Sequence, residues 1–161
     1  TMVANVIAAP FNALLAIKVE SHLGHSPEGE DPGLIAVVPR AVGRELAKIA
    51  YILPRMLWLL LLSFVPLVQA IALPLWLLFG AWMMAVQYTD YAADNNMVSF
   101  KGLRERLGQS RIDALVFGGI VYVAMLVPFV NLIVIPSAVA GGTVYFVRQL
   151  ASDGVGPPRT G

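Results

Sequence analysis

The sequence has 161 residues, of which 58% are hydrophobic and 13% are charged, with a formal net charge of +1 and no cysteine. Because globular domains usually contain roughly 25% charged residues, this composition excludes an ordinary water-soluble domain and predicts an all-α integral membrane protein. The small net charge argues against nucleic acid as a partner, and the lack of cysteine excludes disulfides and thiolate metal ligands.

The first segment predicts the end of a long transmembrane helix. From Thr1 to Leu23 apolar residues recur at helical spacing, and Pro10 should kink the helix because proline has no backbone donor. The apolar pattern is already present at the first residues, so we expect the chain to be the C-terminal part of a longer protein. Residues 24–33 are rich in proline, glycine and acids, which predicts a loop.

An amphipathic helix is predicted to begin at Pro39, a residue well suited to a first helical turn. Arg40, Arg44 and Lys48 recur at spacing four, beside a separate apolar stripe. A helix with this pattern lies in the membrane interface with its cations toward lipid phosphates. Arg40 and Arg44 are therefore candidates for an interface contact or for part of an ion route.

Two related helical hairpins follow. The proline turn Val65–Gln69 returns as Val127–Asn131, and each turn lies between two apolar runs. Each hairpin arm has about 15 residues, or about 22 Å, whereas a full crossing needs about 20 residues. We therefore predict two repeated, partially penetrating hairpins, at about 52–88 and 114–147, with two short tilted spans per hairpin as the alternative.

A single membrane domain is predicted for residues 1–151, with a connector between the hairpins at 89–113 and a disordered tail at 152–161. Basic residues gather at the hairpin ends and are missing from the tips, so the positive-inside tendency places the ends and the connector in the cytoplasm. The need to cover the turns at membrane depth, together with glycines that permit close helix contact, predicts a homo-oligomer. These glycines are Gly80, Gly118, Gly119, Gly141 and Gly142.

The connector carries a candidate anion site. Ser99 is a good N-cap, so the first amides of the following helix should point outward unpaired. Gly102 leaves room beside these amides, and Lys101, Arg104 and Arg111 share one helix face. Amides, a helix dipole and a guanidinium at one point would hold a tetrahedral oxyanion. A basic helix that only touches lipid headgroups is the alternative.

Other polar residues each allow two interpretations. Arg55, just inside the first hairpin arm, is either a snorkelling interface anchor or part of an ion route. Asp90 and Asp94 are interpreted as turn and cap groups, with a metal or proton site as the alternative. His22 and His25 have no nearby cysteine or acid cluster, so no metal site is expected. The sequence shows neither a nucleophile–base set nor a phosphate loop, so it predicts no enzyme.

Four motifs, taken together, resemble the CysZ family of bacterial sulfate permeases. They are Ala8–Leu15, Ala81–Tyr91 with Asp94 and Asn95 after it, Phe100–Arg104, and Asn131–Val139, in this order. The resemblance extends from about Val3 to Val147. The sulfate-binding Gly-Leu-Arg pattern of that family falls on Gly102, Leu103 and Arg104, with Lys101 beside it.

The resemblance implies an inner-membrane protein that admits sulfate to the cytoplasm for cysteine synthesis. It implies long transmembrane helices, partially penetrating hairpins and an oligomer, with sulfate and membrane lipids as partners and no cofactor. Two other function classes stay open at this point. One is a membrane-remodelling or scaffold protein with lipid-binding basic helices, and the other is a membrane-embedded enzyme acting on lipid phosphates.

Overall fold

The computed structural model describes residues 2–25, 34–127 and 130–151, and every regular element in these ranges is helical. This confirms the predicted all-α class. The expectations for the loop at 26–33, for Pro128 and Phe129 in the second turn and for the tail at 152–161 lie outside the described residues. The helices are α1 Met2–His22, α2 Leu34–Ser63, α3 Gln69–Asn95, α4 Phe100–Gln109, α5 Arg111–Met125 and α6 Asn131–Tyr145, which continues into a π-helical turn, Phe146–Leu150.

Three of these helices are long and apolar enough to cross a membrane. The candidate spans are Val38–Ser63, Gln69–Asn95 and Ile133–Leu150. Large apolar side chains such as Leu57, Leu61 and Leu73 are exposed on α2 and α3. In a water-soluble protein such a surface would be a liability, whereas against lipid it is the expected one. The prediction of a membrane protein is thereby confirmed.

The predicted interfacial helix and the first hairpin arm form one continuous helix. α2 has 30 residues and runs through both Pro39 and Pro54. Proline removes only one helical hydrogen bond, and helices of membrane proteins tolerate this loss. The helix start predicted at Pro39 is therefore wrong, and no break separates the predicted interfacial helix from the first hairpin arm.

Arm length now distinguishes the two hairpins. The first consists of α2 and α3, and α3 alone has 27 residues, which is about 40 Å of helix. The arms of about 15 residues predicted for this hairpin are too short. In the second hairpin α5 has 15 residues, as the sequence predicted. Partial penetration therefore remains a prediction. Arm length supports it only for α5, because α6 and its π-helical turn form the candidate span Ile133–Leu150.

α3 is the centre of the fold and packs against each of the other described helices. Its second half is almost entirely buried, with Ala85, Val86, Ala92 and Ala93 inaccessible to solvent. These small side chains let the neighbouring helices approach closely. The polar residues of the same stretch are also buried, so this half of α3 positions the charged groups described below.

Gly118 on α5 is one such point of close approach. A Cβ atom added there would lie 2.7 Å from the Ala85 nitrogen and closer still to the Ala81 carbonyl oxygen. Gly118→Ala should therefore lower the free energy of unfolding by about 1 to 3 kcal/mol, as overpacked cores do. Gly119→Ala is the matched control, because its nearest contact would be Ala81 Cβ at 3.8 Å. SDS titration of the reconstituted protein measures both, and equal stability of the two variants would contradict this packing.

Candidate anion site

The N-terminus of α4 is capped as the sequence predicted. The Ser99 side chain accepts a hydrogen bond of 3.1 Å from the Gly102 amide, and the Leu103 amide donates to the Ser99 carbonyl oxygen at 2.9 Å. The expectation that the Gly102 and Leu103 amides are unpaired is therefore wrong. The amides left without an intrahelical acceptor by their position are those of Phe100 and Lys101.

Lys101 and Leu103 point away from each other. Leu103 is fully buried in the core beneath α4. Lys101 is exposed and lies 3.8 Å from Glu105 in a solvent-accessible ion pair. Such pairs are weak and exchange readily, so Lys101 can attract an anion from solution but is not fixed toward one.

Arg104 is held by aromatic rings. Its guanidinium carbon lies 4.4 Å from the centre of the Tyr51 ring and 5.2 Å from that of Phe100. The Nε atom is buried and has no hydrogen-bond partner among the described residues. A buried donor without a partner is costly, so this atom is a point where a bound ligand would add stability.

The Arg104 side chain borders an open cavity of about 340 Å³. The cavity is lined by Tyr51, Trp82, Arg104, Gly108 and Arg111. Arg111 donates from Nε to the Gly108 carbonyl oxygen at 3.0 Å, which fixes its stem. The structure therefore brings together two of the three cations predicted on this helix face. Two guanidinium groups at one cavity can bind a dianion through charge-assisted hydrogen bonds.

Tyr51 and Trp82 line this cavity, and the sequence did not identify them as site residues. Trp82 donates from its indole nitrogen to the Tyr51 hydroxyl at 3.3 Å, and Tyr51 packs edge-on against Phe100 with ring centres 5.8 Å apart. Arg55 lies over the same tyrosine, 3.7 Å from its ring centre. The only sequence signal was the spacing of four between Tyr51 and Arg55, which places them on one helix face.

A second group of charges, which we name the charge ladder, joins α2 to α3. It consists of Arg40, Arg44 and Lys48 on α2 and Asp90 and Asp94 on α3. Asp94 pairs with Arg40 at 3.1 Å and with Arg44 at 3.6 Å, while Asp90 pairs with Arg44 and lies 3.2 Å from Lys48. Each carboxylate thus bridges two successive cations.

The charge ladder corrects two predictions. The α2 cations were expected to face lipid phosphates, but the structure turns them inward onto carboxylates. The two aspartates were expected to be turn and cap groups, but both lie within α3 and are buried. The cost of burying an ionised group unpaired explains both results, since each set removes that cost for the other. Arg40 and Arg44 are therefore neutralised in this conformation.

A third polar cluster joins α1 to the end of α3. Glu20 is inaccessible to solvent and accepts hydrogen bonds from Asn95 at 3.2 Å and from Asn96 at 2.7 Å. His25 is bonded to Asn96 at 3.0 Å. Glu20 lies outside the three candidate spans, and burial raises the pKa of its carboxyl against the lowering effect of the two amides and of His25. Among the described residues, no group of three potential ligand side chains could hold a metal ion.

Comparison with known proteins identifies the family. The sequence matches a family model described as "Sulfate transporter CysZ/Etoposide-induced protein 2.4" over residues 1–136. The chain belongs to this family. The resemblance found in the four motifs is thereby confirmed.

Several CysZ proteins are similar to this chain. "Sulfate transporter CysZ" of Pseudomonas syringae pv. tomato is 51% identical over 156 residues, covering 95% of this chain and 62% of the relative. The protein of the same name from Pseudomonas aeruginosa is 51% identical over 152 residues, covering 92% and 62%. That of Pectobacterium atrosepticum is 45% identical over 151 residues, covering 91% and 54%. The chain thus spans less than two thirds of the length of these CysZ relatives.

Proposed function

We propose that this protein takes part in sulfate uptake across the bacterial inner membrane and so supplies sulfur for cysteine biosynthesis. Membership of the CysZ family and the names of its relatives support this proposal. Three helices able to span a membrane are consistent with it. The scaffold alternative required basic helices that bind lipid, and the inward pairing of Arg40, Arg44 and Lys48 removes much of that basis.

Sulfate binds, in this proposal, in the cavity beside α4, with Arg104 as its main ligand. The observation that carries the assignment is the buried Nε of Arg104, which lacks a partner among the described residues although Arg104 is one of the residues that line the cavity. Arg111 supplies a second positive charge, and the exposed Lys101 attracts the anion from solution. In this proposal Gly102 and Leu103 position the site and do not bind the anion themselves. The Gly102 amide donates to the Ser99 side chain, and the buried Leu103 packs α4 against the core.

Uptake of radiolabelled sulfate into liposomes containing the purified protein tests the activity itself. We expect uptake above that of protein-free liposomes and competition by unlabelled sulfate. A scaffold protein would bind the vesicles without raising uptake. An enzyme acting on lipid phosphates would change the lipids instead, which thin-layer chromatography of the same vesicles would reveal.

The orientation that fits this function places α4 and the hairpin ends at the cytoplasmic face. Leu67, in the turn between α2 and α3, is 92% exposed and lies farthest from the charge ladder along both helices. If the turn is at membrane depth, a cysteine at position 67 should label poorly with a bulky impermeant reagent from the periplasm. Strong labelling there would contradict partial penetration and show that the first hairpin crosses the membrane fully.

We also propose a homo-oligomer, since the apolar turn at Phe64 and Leu67 is exposed in the isolated chain. A second copy would cover this turn and shield the polar backbone groups of the turn from lipid. The glycine that was expected to permit contact between copies does not support this proposal at position 118, because Gly118 packs against α3 of its own chain.

A further inference from the structure

A groove between α2 and α3 lies on the outer surface, next to the anion cavity. Its volume is about 500 Å³, within the range of small-molecule sites. Leu59, Leu75, Leu78 and Phe79 form much of its wall, and Arg55 lies at its edge. The groove is therefore apolar with one positive charge.

Arg55 differs from the other cations of α2. Arg40, Arg44 and Lys48 all pair with carboxylates, whereas no carboxylate pairs with Arg55 among the described residues. The Arg55 side chain is exposed, although it lies inside a candidate membrane span. A charged group in that position needs an anion or water, because lipid tails offer neither.

The direction of the Arg55 side chain places its charge toward the membrane interface. One terminal nitrogen donates to the Tyr51 carbonyl oxygen at 2.7 Å, so the guanidinium folds back one turn toward the N-terminal end of α2. The charge ladder lies toward the same end. Long basic side chains commonly reach the headgroup level in this way.

Two tryptophans also indicate that this surface lies at the headgroup level. The sequence contains three tryptophans, and Trp58 and Trp82 both line the groove. Tryptophan is enriched where the hydrocarbon core meets the headgroups. A ligand suited to this surface has an apolar chain that fills the groove and an anionic group that reaches Arg55.

We infer that this groove binds one anionic phospholipid, with an acyl chain along α2 and α3 and the phosphate at Arg55. A net negative headgroup is favoured over a zwitterionic one because Arg55 has no competing carboxylate among the residues described. This inference does not rest on sulfate transport, and it gives Arg55 a role separate from Arg104.

Quenching of tryptophan fluorescence by lipids with brominated acyl chains tests the site. The protein is reconstituted with brominated phosphatidylglycerol or brominated phosphatidylcholine as the minor lipid. We expect phosphatidylglycerol to quench at about fivefold lower mole fraction, which corresponds to about 1 kcal/mol per basic residue at 1.4 kcal/mol per decade. Arg55→Gln should abolish the difference, and Arg55→Lys should keep part of it.

Lys18→Gln is the matched control, since it removes an exposed charge on α1 and should keep the preference. Equal quenching by both lipids in the unchanged protein would overturn the inference, as would a preference that survives Arg55→Gln. An absence of quenching by either lipid would also overturn it, because lipid would then be excluded from the groove, as it would be if a second copy of the chain covered it. Added sulfate at constant ionic strength should change nothing, and loss of the preference would mean that Arg55 binds the free anion instead.

Discussion

Replacing Asp90 with asparagine should lower the free energy of unfolding by about 3 to 5 kcal/mol, the usual cost of breaking a buried ion pair from one side. The Asp90 side chain is 2% exposed, and it bridges Arg44 and Lys48, whose side chains are 14% and 2% exposed. Asparagine keeps the shape but removes the charge, so both cations lose their shared partner. SDS titration followed by circular dichroism would measure the loss.

Substitutions of two other carboxylates serve as comparisons for Asp90→Asn. Asp94→Asn should cost less, because its partner Arg40 is 31% exposed and can reach water. Glu105→Gln should have little effect, because Lys101 and Glu105 are exposed on α4. If Asp90→Asn were no more destabilising than Glu105→Gln, the charge ladder would not stabilise the fold.

A compensating change distinguishes two causes of the lost stability, an unpaired charge and lost packing. Lys48 also pairs with the buried Glu45, so the compensating change is Lys48→Met together with Glu45→Gln, which removes the ammonium and its second carboxylate at similar side-chain volume. Added to Asp90→Asn, this pair of changes should recover part of the lost stability, because Arg44 can still pair with Asp94 at 3.6 Å. A combined variant as unstable as the sum of its separate changes would point to packing as the cause.

The sequence correctly predicted a feature that depends only on residues close together in the chain. Ser99 caps α4 because a serine hydroxyl reaches the amide three residues later whatever surrounds the helix. The helix start predicted at Pro39 was wrong because the loss of one hydrogen bond is small beside the packing and apolar surroundings that keep α2 helical.

The charge ladder could not be predicted from the sequence, although all of its residues were identified there. Three cations at spacing four on one helix and two carboxylates at spacing four on another are complementary, yet each pattern alone is typical of a surface. Which helices meet depends on tertiary packing. Tyr51 is a similar case, since nothing in its neighbourhood on α2 indicates that Phe100 and Arg104 of α4 will pack on its ring.

Arg104→Ala should weaken sulfate binding by about 1.5 to 3 kcal/mol, the worth of a hydrogen bond to a charged group. At 1.4 kcal/mol per decade this is roughly tenfold to more than a hundredfold in Kd. Arg104→Lys should recover only part of the affinity, because lysine keeps the charge but lacks the planar fork and packs less well on Tyr51 and Phe100. Sulfate titration calorimetry in detergent measures all three proteins.

Gly102→Val tests the shape of the site without changing its charge. A Cβ atom at position 102 would lie 3.2 Å from the Ser99 hydroxyl oxygen, so the larger side chain should disturb the cap and weaken binding. Arg106→Ala is the matched charge control, because this arginine lies on the same helix but donates to the Leu150 carbonyl oxygen at 2.9 Å. A lipid-contact face would tolerate both Lys at 104 and Val at 102. Equal affinity in Arg104→Ala, Gly102→Val and the unchanged protein would therefore remove the anion site from α4, because neither the guanidinium nor the capped turn would then affect sulfate.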